Sequence, residues 1–103
     1  MSGPQDASGL AFLAALERVI DERLAARRAD SYVAKLAAAG TRRIAQKVGE
    51  EAVELALAAA AGDRAEQLEE AADLLFHLLV LLRTGELRLA DVAHVLEQRH
   101  RPR

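Results

Sequence analysis

Two stretches constrain this chain more than any others. GEEAVELALAAAA, Gly49 to Ala61, sets three glutamates into an alanine-rich run, and EEAADLLFHLLVLL, Glu69 to Leu82, places Glu70, Asp73 and His77 inside an otherwise apolar one. A helix turns about 100° per residue. With Ile44 as reference, Val48 and Leu55 fall within about 40° and mark an apolar stripe, and Glu51 lands about 20° from Ile44, within that stripe. Lys47 and Glu54 lie about 60–80° to one side, and Glu50 about 120°. In the second stretch Glu70, Asp73 and His77 share one strip bordered by Leu74, Val80 and Leu81. From Ala71 to Leu82 the segment is apolar on nearly every side, so it is expected to be central in the fold. The chain must therefore turn acids inward between neighbouring helices.

The rest of the sequence suits helices. Hydrophobic residues make up 51% of its 103 residues but aromatics only 3%, so the apolar content is mainly Ala and Leu. Such a composition favours helix nearly everywhere. Small side chains bury little area each, which predicts a marginal monomer and self-association to complete the core. A net charge of −2 argues against a nucleic-acid partner, and the absence of cysteine excludes disulfides and thiolate metal sites. MSGPQDASGLAF lacks the basic start of a signal peptide. LLFHLLVLL, bounded by Asp73 and Arg83, is far short of the roughly 20 residues that span a bilayer. A cytoplasmic protein with no membrane partner is expected.

Punctuation along the chain predicts one domain of five helices over 1–103, with residues 1–7 a flexible end. Ser8 is a plausible N-cap for a first helix reaching about Arg28, with Leu13, Leu16, Ile20 and Leu24 at spacings of three and four. A short helix follows from about Ser31 and ends at Gly40. Thr41 is expected to cap a long helix to Ala61, Gly62-Asp63 to turn, and a third long helix to run from Arg64 to about Arg83. Gly85 breaks it, and Leu89 to Arg99 forms a last amphipathic helix carrying Val92, Val95 and Leu96. The expected fold is all-α, an antiparallel helical bundle completed by dimerisation.

Burying one carboxylate is unfavourable, and clustering several adds like-charge repulsion. A hard divalent cation among them offsets both, and Mg²⁺ prefers such oxygen ligands while keeping waters and substrate phosphates in its shell. E-x-x-E on one helix and E-x-x-D on the next would supply them from one face each. The alternative is that these acids pair with arginines at a subunit interface. Arg42, Arg43 and Lys47 crowd the opening turns of the second long helix, where the macrodipole disfavours cations. With the free N–H groups there they would make a phosphate site; the alternative is ordinary surface charge on good helix formers.

SYVAKLAAAGTRRIAQKVGEEAVELALAAA, followed by EEAADLLFHLLVLL and LADVAHVLEQRH, resembles the phosphoribosyl-ATP pyrophosphatases of histidine biosynthesis. The resemblance covers about three quarters of the chain. E-E-x-x-E followed by E-x-x-D belongs to the wider all-α nucleotide pyrophosphohydrolases, whereas GTRRIAQKVGEEAVE resembles this family alone. It implies Mg²⁺-dependent hydrolysis of the α–β phosphoanhydride of phosphoribosyl-ATP to phosphoribosyl-AMP and pyrophosphate, by a dimeric helical bundle. Carried over by position, Glu51, Glu54, Glu70 and Asp73 would be metal ligands, with Glu50 beside them as ligand or as base for the attacking water. Arg42, Arg43 and Lys47 would hold phosphates, and Ser31, Tyr32 and Lys35 would lie near the nucleotide.

Phe76 stands where the family often has tyrosine, and the absence of a preceding cyclohydrolase unit is expected to mark a monofunctional form. His77 is either a partner to a metal ligand or a hydrogen-bonded core histidine. His94 and His100 show no metal-binding spacing. A di-iron bundle would need Glu-x-x-His on two helices, which is absent. Two rivals remain: a housecleaning pyrophosphohydrolase acting on another nucleotide, and a non-enzymatic dimerisation module whose acids make interhelical salt bridges.

Overall fold

A computed structural model describes residues 3–102, with side chains from residue 9 onward. Among these residues the chain forms five α-helices and no strand: α1 Gly3–Ala26, α2 Tyr32–Ala39, α3 Thr41–Ala61, α4 Arg64–Thr84 and α5 Leu89–Arg99. None is long and apolar enough to cross a membrane.

Most helix ends follow their side chains. The Ser31 hydroxyl accepts the Ala34 N–H at 3.2 Å and opens α2, and Asp63 accepts the Glu66 N–H at 3.0 Å to open α4. Gly62 ends α3 in the left-handed region, φ 75°, so a two-residue turn folds α4 back along α3. Three expectations are corrected. Helix α1 already runs from Gly3, so Ser8 lies inside it instead of capping it; Pro4, in the first turn, has no N–H to leave unpaired. That helix also stops at Ala26 because Arg27 turns left-handed, φ 53°. Thr41 is the first residue of α3, not its cap, because Gly40 ends α2 and starts α3 at once. Its φ of 100° and ψ of 168° are open to glycine and strained for other residues.

The core is small. Ile20 of α1, Val33 and Leu36 of α2, Ile44 of α3, and Leu79 and Val80 of α4 form one buried cluster, with Leu16, Leu24, Phe76, Leu81 and Leu89 packed at its edge. Helices α3 and α4 make the most extensive contact, while α1 and α2 close one end of the hairpin. As expected, α4 contributes to the centre through His77, Leu79 and Val80.

A charged clamp docks the start of α5. Arg83 Nε donates to Asp21 Oδ1 at 2.7 Å, the Leu89 N–H donates to Glu17 Oε2 at 2.8 Å, and Arg88 lies 3.7 Å from both acids. Asp21 holds the guanidinium of Arg83 charged, raising its pKa, with Glu17 and Asp91 adding to the effect against the opposing influence of burial. The rest of α5 is exposed, including Val92, Val95 and Leu96.

Candidate functional site

Burial follows the predicted stripe most clearly at Glu51, which is only 6% exposed on α3. Its two oxygens face different partners. Oε1 lies 2.6 Å from Nδ1 of His77 on α4, and Oε2 lies 3.9 Å from the ammonium of Lys47, one turn back on α3. His77 is itself buried, and its Nδ1 also lies 3.0 Å from the backbone oxygen of Asp73. Both neighbours of Nδ1 are acceptors, so that nitrogen carries the proton. Nε2, on the other side of the ring, lies 2.6 Å from the Tyr32 hydroxyl. Three helices thus meet in one chain of contacts, Tyr32 of α2 to His77 of α4 to Glu51 of α3. Phe76 stacks on Tyr32 with centroids 6.2 Å apart and planes 23° from parallel, and edges onto His77. The two readings of His77 merge, since it is a hydrogen-bonded core histidine and the partner of a candidate ligand.

Glu54 and Glu70 face each other across the hairpin, and Glu66 joins them one turn before Glu70. The Glu70 carboxyl is pushed up to about 7, first by the hydrogen bond it shares with Glu66 when protonated, then by burial, then by Glu54. Its Oε1 is shielded from solvent and has no hydrogen-bond partner among the described residues. An orphaned oxygen among repelling carboxylates fits a hard divalent cation, and so does an all-oxygen donor set. The acids are not gathered into a finished cage: among the described residues no three His, Asp or Glu side chains converge as a metal site. Glu54 and Asp73 are exposed, as is Glu50, held by Gln46 Nε2 at 2.9 Å and lying 4.0 Å from Lys47.

The basic residues divide. Lys47 spans Glu50 and Glu51, whereas Lys35, Arg42 and Arg43 are exposed and have no ion-pair partner among the described residues. Among the described residues no side chain caps α3, so the N–H groups of Thr41 and Arg42 remain open, while that of Arg43 donates to the Gly40 carbonyl at 3.1 Å. A cavity of about 760 Å³ lies between the end of α1, α2 and this helix start, bordered by Leu24, Arg27, Lys35, Gly40, Thr41 and Ile44. Ser31 is buried and spends its hydroxyl on the α2 cap. Tyr32 turns its hydroxyl to His77 while its ring remains half exposed. Sequence reasoning missed Glu66, although its position four residues before Glu70 puts both on one face. It also missed that Tyr32 and His77 would meet; no local signal brings residues 45 apart together.

The sequence pattern of the phosphoribosyl-ATP pyrophosphohydrolases matches residues 13–100, which include every candidate residue above. This chain belongs to that family. It is similar to three proteins named histidine biosynthesis bifunctional protein HisIE. With that of Photobacterium profundum it is 52% identical over 98 residues, covering 95% of this chain and 47% of the relative. With that of Pasteurella multocida it shares 56% over 89 residues, covering 86% and 44%. With that of Vibrio cholerae it shares 52% over 97 residues, covering 94% and 46%. The chain spans about half the length of these curated relatives.

Proposed function

We propose that this family member hydrolyses phosphoribosyl-ATP to phosphoribosyl-AMP and pyrophosphate, with Mg²⁺, as a cytoplasmic enzyme of histidine biosynthesis that works as a homodimer. The observation that carries the reading is the family match over residues 13–100, a span holding both acidic segments and the basic start of α3.

Glu51, Glu54, Glu70 and Asp73 would hold the metal. Bound Mg²⁺ would neutralise part of the polyphosphate charge and acidify the attacking water. The protein's own groups do the rest. Arg42 and Arg43, with the open N–H groups of α3, bind phosphate oxygens, because charge and backbone donors there point the same way. Lys35, on the wall of the 760 Å³ cavity, holds the nucleotide near that helix start. Lys47 balances Glu50 and Glu51 through contacts of 4.0 and 3.9 Å, long enough to be exchanged for a phosphate. Glu50, the exposed member of the pair, takes a proton from the water as its oxygen bonds to the α-phosphorus and pyrophosphate departs.

A pyrophosphate-release assay on phosphoribosyl-ATP, with and without Mg²⁺ and beside a panel of nucleoside triphosphates, tests this. Metal-dependent turnover selective for phosphoribosyl-ATP is expected. Equal turnover of the panel would move the substrate to a housecleaning class, and no turnover of any nucleotide would leave a non-enzymatic helical module.

A further inference from the structure

The hydroxyl of Tyr32 and the imidazole of His77 stand outside the usual inventory of a carboxylate–metal site, yet they make its shortest contacts, 2.6 Å each. Nδ1–H of His77 is shared between Glu51 Oε1 at 2.6 Å and the Asp73 carbonyl at 3.0 Å. The second contact ties the ring to its own helix, so the imidazole cannot follow Glu51 if that side chain swings. The ring face is fenced by Phe76, and Nε2 is occupied by Tyr32 at 2.6 Å. A histidine held on both nitrogens and on its face is a rigid donor. Glu51 Oε1 is thereby pinned, and among the described residues Oε2 is left with Lys47 at 3.9 Å. Of the two oxygens, only Oε2 is free to change partners.

We infer that Tyr32 and His77 form a positioning relay that locks the Glu51 carboxylate by Oε1 and reserves Oε2 for the cation, with Lys47 as the interim partner of that oxygen. The inference rests on the metal-dependent reading above and deepens it. His77 touches neither substrate nor metal; it acts through Glu51. Groups that orient a metal ligand by hydrogen bonding typically change metal affinity about 10–100-fold when removed. Asparagine places an amide N–H where imidazole has Nδ1–H, whereas glutamine reaches the Nε2 position and leaves Oε1 without its donor.

The test compares wild type, His77→Asn, His77→Gln and Tyr32→Phe. Mn²⁺ binding to the nucleotide-free protein is measured by calorimetry, helical content by circular dichroism, and turnover of phosphoribosyl-ATP across a Mg²⁺ series. His77→Gln should weaken Mn²⁺ binding by about tenfold or more and raise the Mg²⁺ needed for half-maximal rate in parallel. His77→Asn should restore both to within a few-fold of wild type. Tyr32→Phe keeps the stacked ring and should give a smaller loss of the same kind. Equal Mn²⁺ affinity in wild type and His77→Gln overturns the relay, as does equal damage from asparagine and glutamine in folded protein. If His77→Gln is unfolded by dichroism, Tyr32→Phe decides: weaker Mn²⁺ binding upholds the relay and unchanged binding ends it. A wild type that binds Mn²⁺ but does not turn over phosphoribosyl-ATP fails the functional reading and leaves the relay standing.

Discussion

Glu50 and Glu51 are adjacent in the chain and opposite in environment. Glu51 is buried against His77, while Glu50 faces solvent beside Gln46. If Glu50 accepts the proton of the attacking water, Glu50→Gln should lower kcat by about 10²–10⁴-fold. As a surface change it should move stability by no more than about 0.5 kcal/mol. Single-turnover kinetics with thermal melting checks both, and a variant that keeps its kcat assigns the base elsewhere. Glu70 gives a pH signature in metal-free protein. Its folded pKa, near 7, lies above the ordinary 4.5, so the native state binds the proton more tightly than the unfolded chain. Stability from this group is complete below about 4.5 and is lost as pH rises through 7. The metal-free melting temperature should therefore fall between about pH 4 and about pH 8, and Glu70→Gln should flatten the slope; an identical slope in the variant would exclude Glu70 as its source. The inward phase of Glu51 was legible from 3.6-residue periodicity. The exposure of Glu54 and Asp73 was not, because periodicity gives a direction around the helix and not the width of the neighbour that covers it.

At the scale of elements, caps decided what could be read. Ser31, Gly62 and Asp63 act where the residue type predicts, since each satisfies backbone groups left over at a helix end. Ser8 and Thr41 misled because a good capping residue is also an adequate helical one. Which role it takes depends on whether the chain must stop there. At the α2–α3 junction Gly40 does both jobs, with φ 100° and no atom within 4 Å of where a Cβ would stand. Gly40→Ala should thus destabilise through backbone strain alone, by about 1–3 kcal/mol. Urea unfolding measures this; a change below a few tenths would show that the junction relaxes without cost. If the open N–H groups at the start of α3 hold phosphate, as proposed, the variant should also raise KM for the nucleotide more than it lowers kcat.

The whole molecule is an open assembly. Its radius of gyration is 15.4 Å, above the about 13 Å of a compact chain of this size. Large apolar side chains stand in solvent, among them Leu57 at 64% and Leu68 at 75% on the two arms of the hairpin. The alanine-rich composition anticipated this shortage of core, although which faces stay uncovered could be read only once the helices were packed. A second copy covering those faces is the expected remedy. Light scattering should give twice the chain mass at micromolar concentration, with a melting temperature that rises with protein concentration. A monomer with a concentration-independent transition would remove the dimer from the proposal.

The turn at Gly62-Asp63 has a consequence for how the acidic edge comes into being. Every carboxylate from Glu50 to Asp73 sits within one helical hairpin, and a two-residue bend brings its arms together. Closing so short a loop costs little chain entropy, so the two acidic arms meet through neighbours in sequence, and only the Tyr32 contact to His77 is brought in from α2.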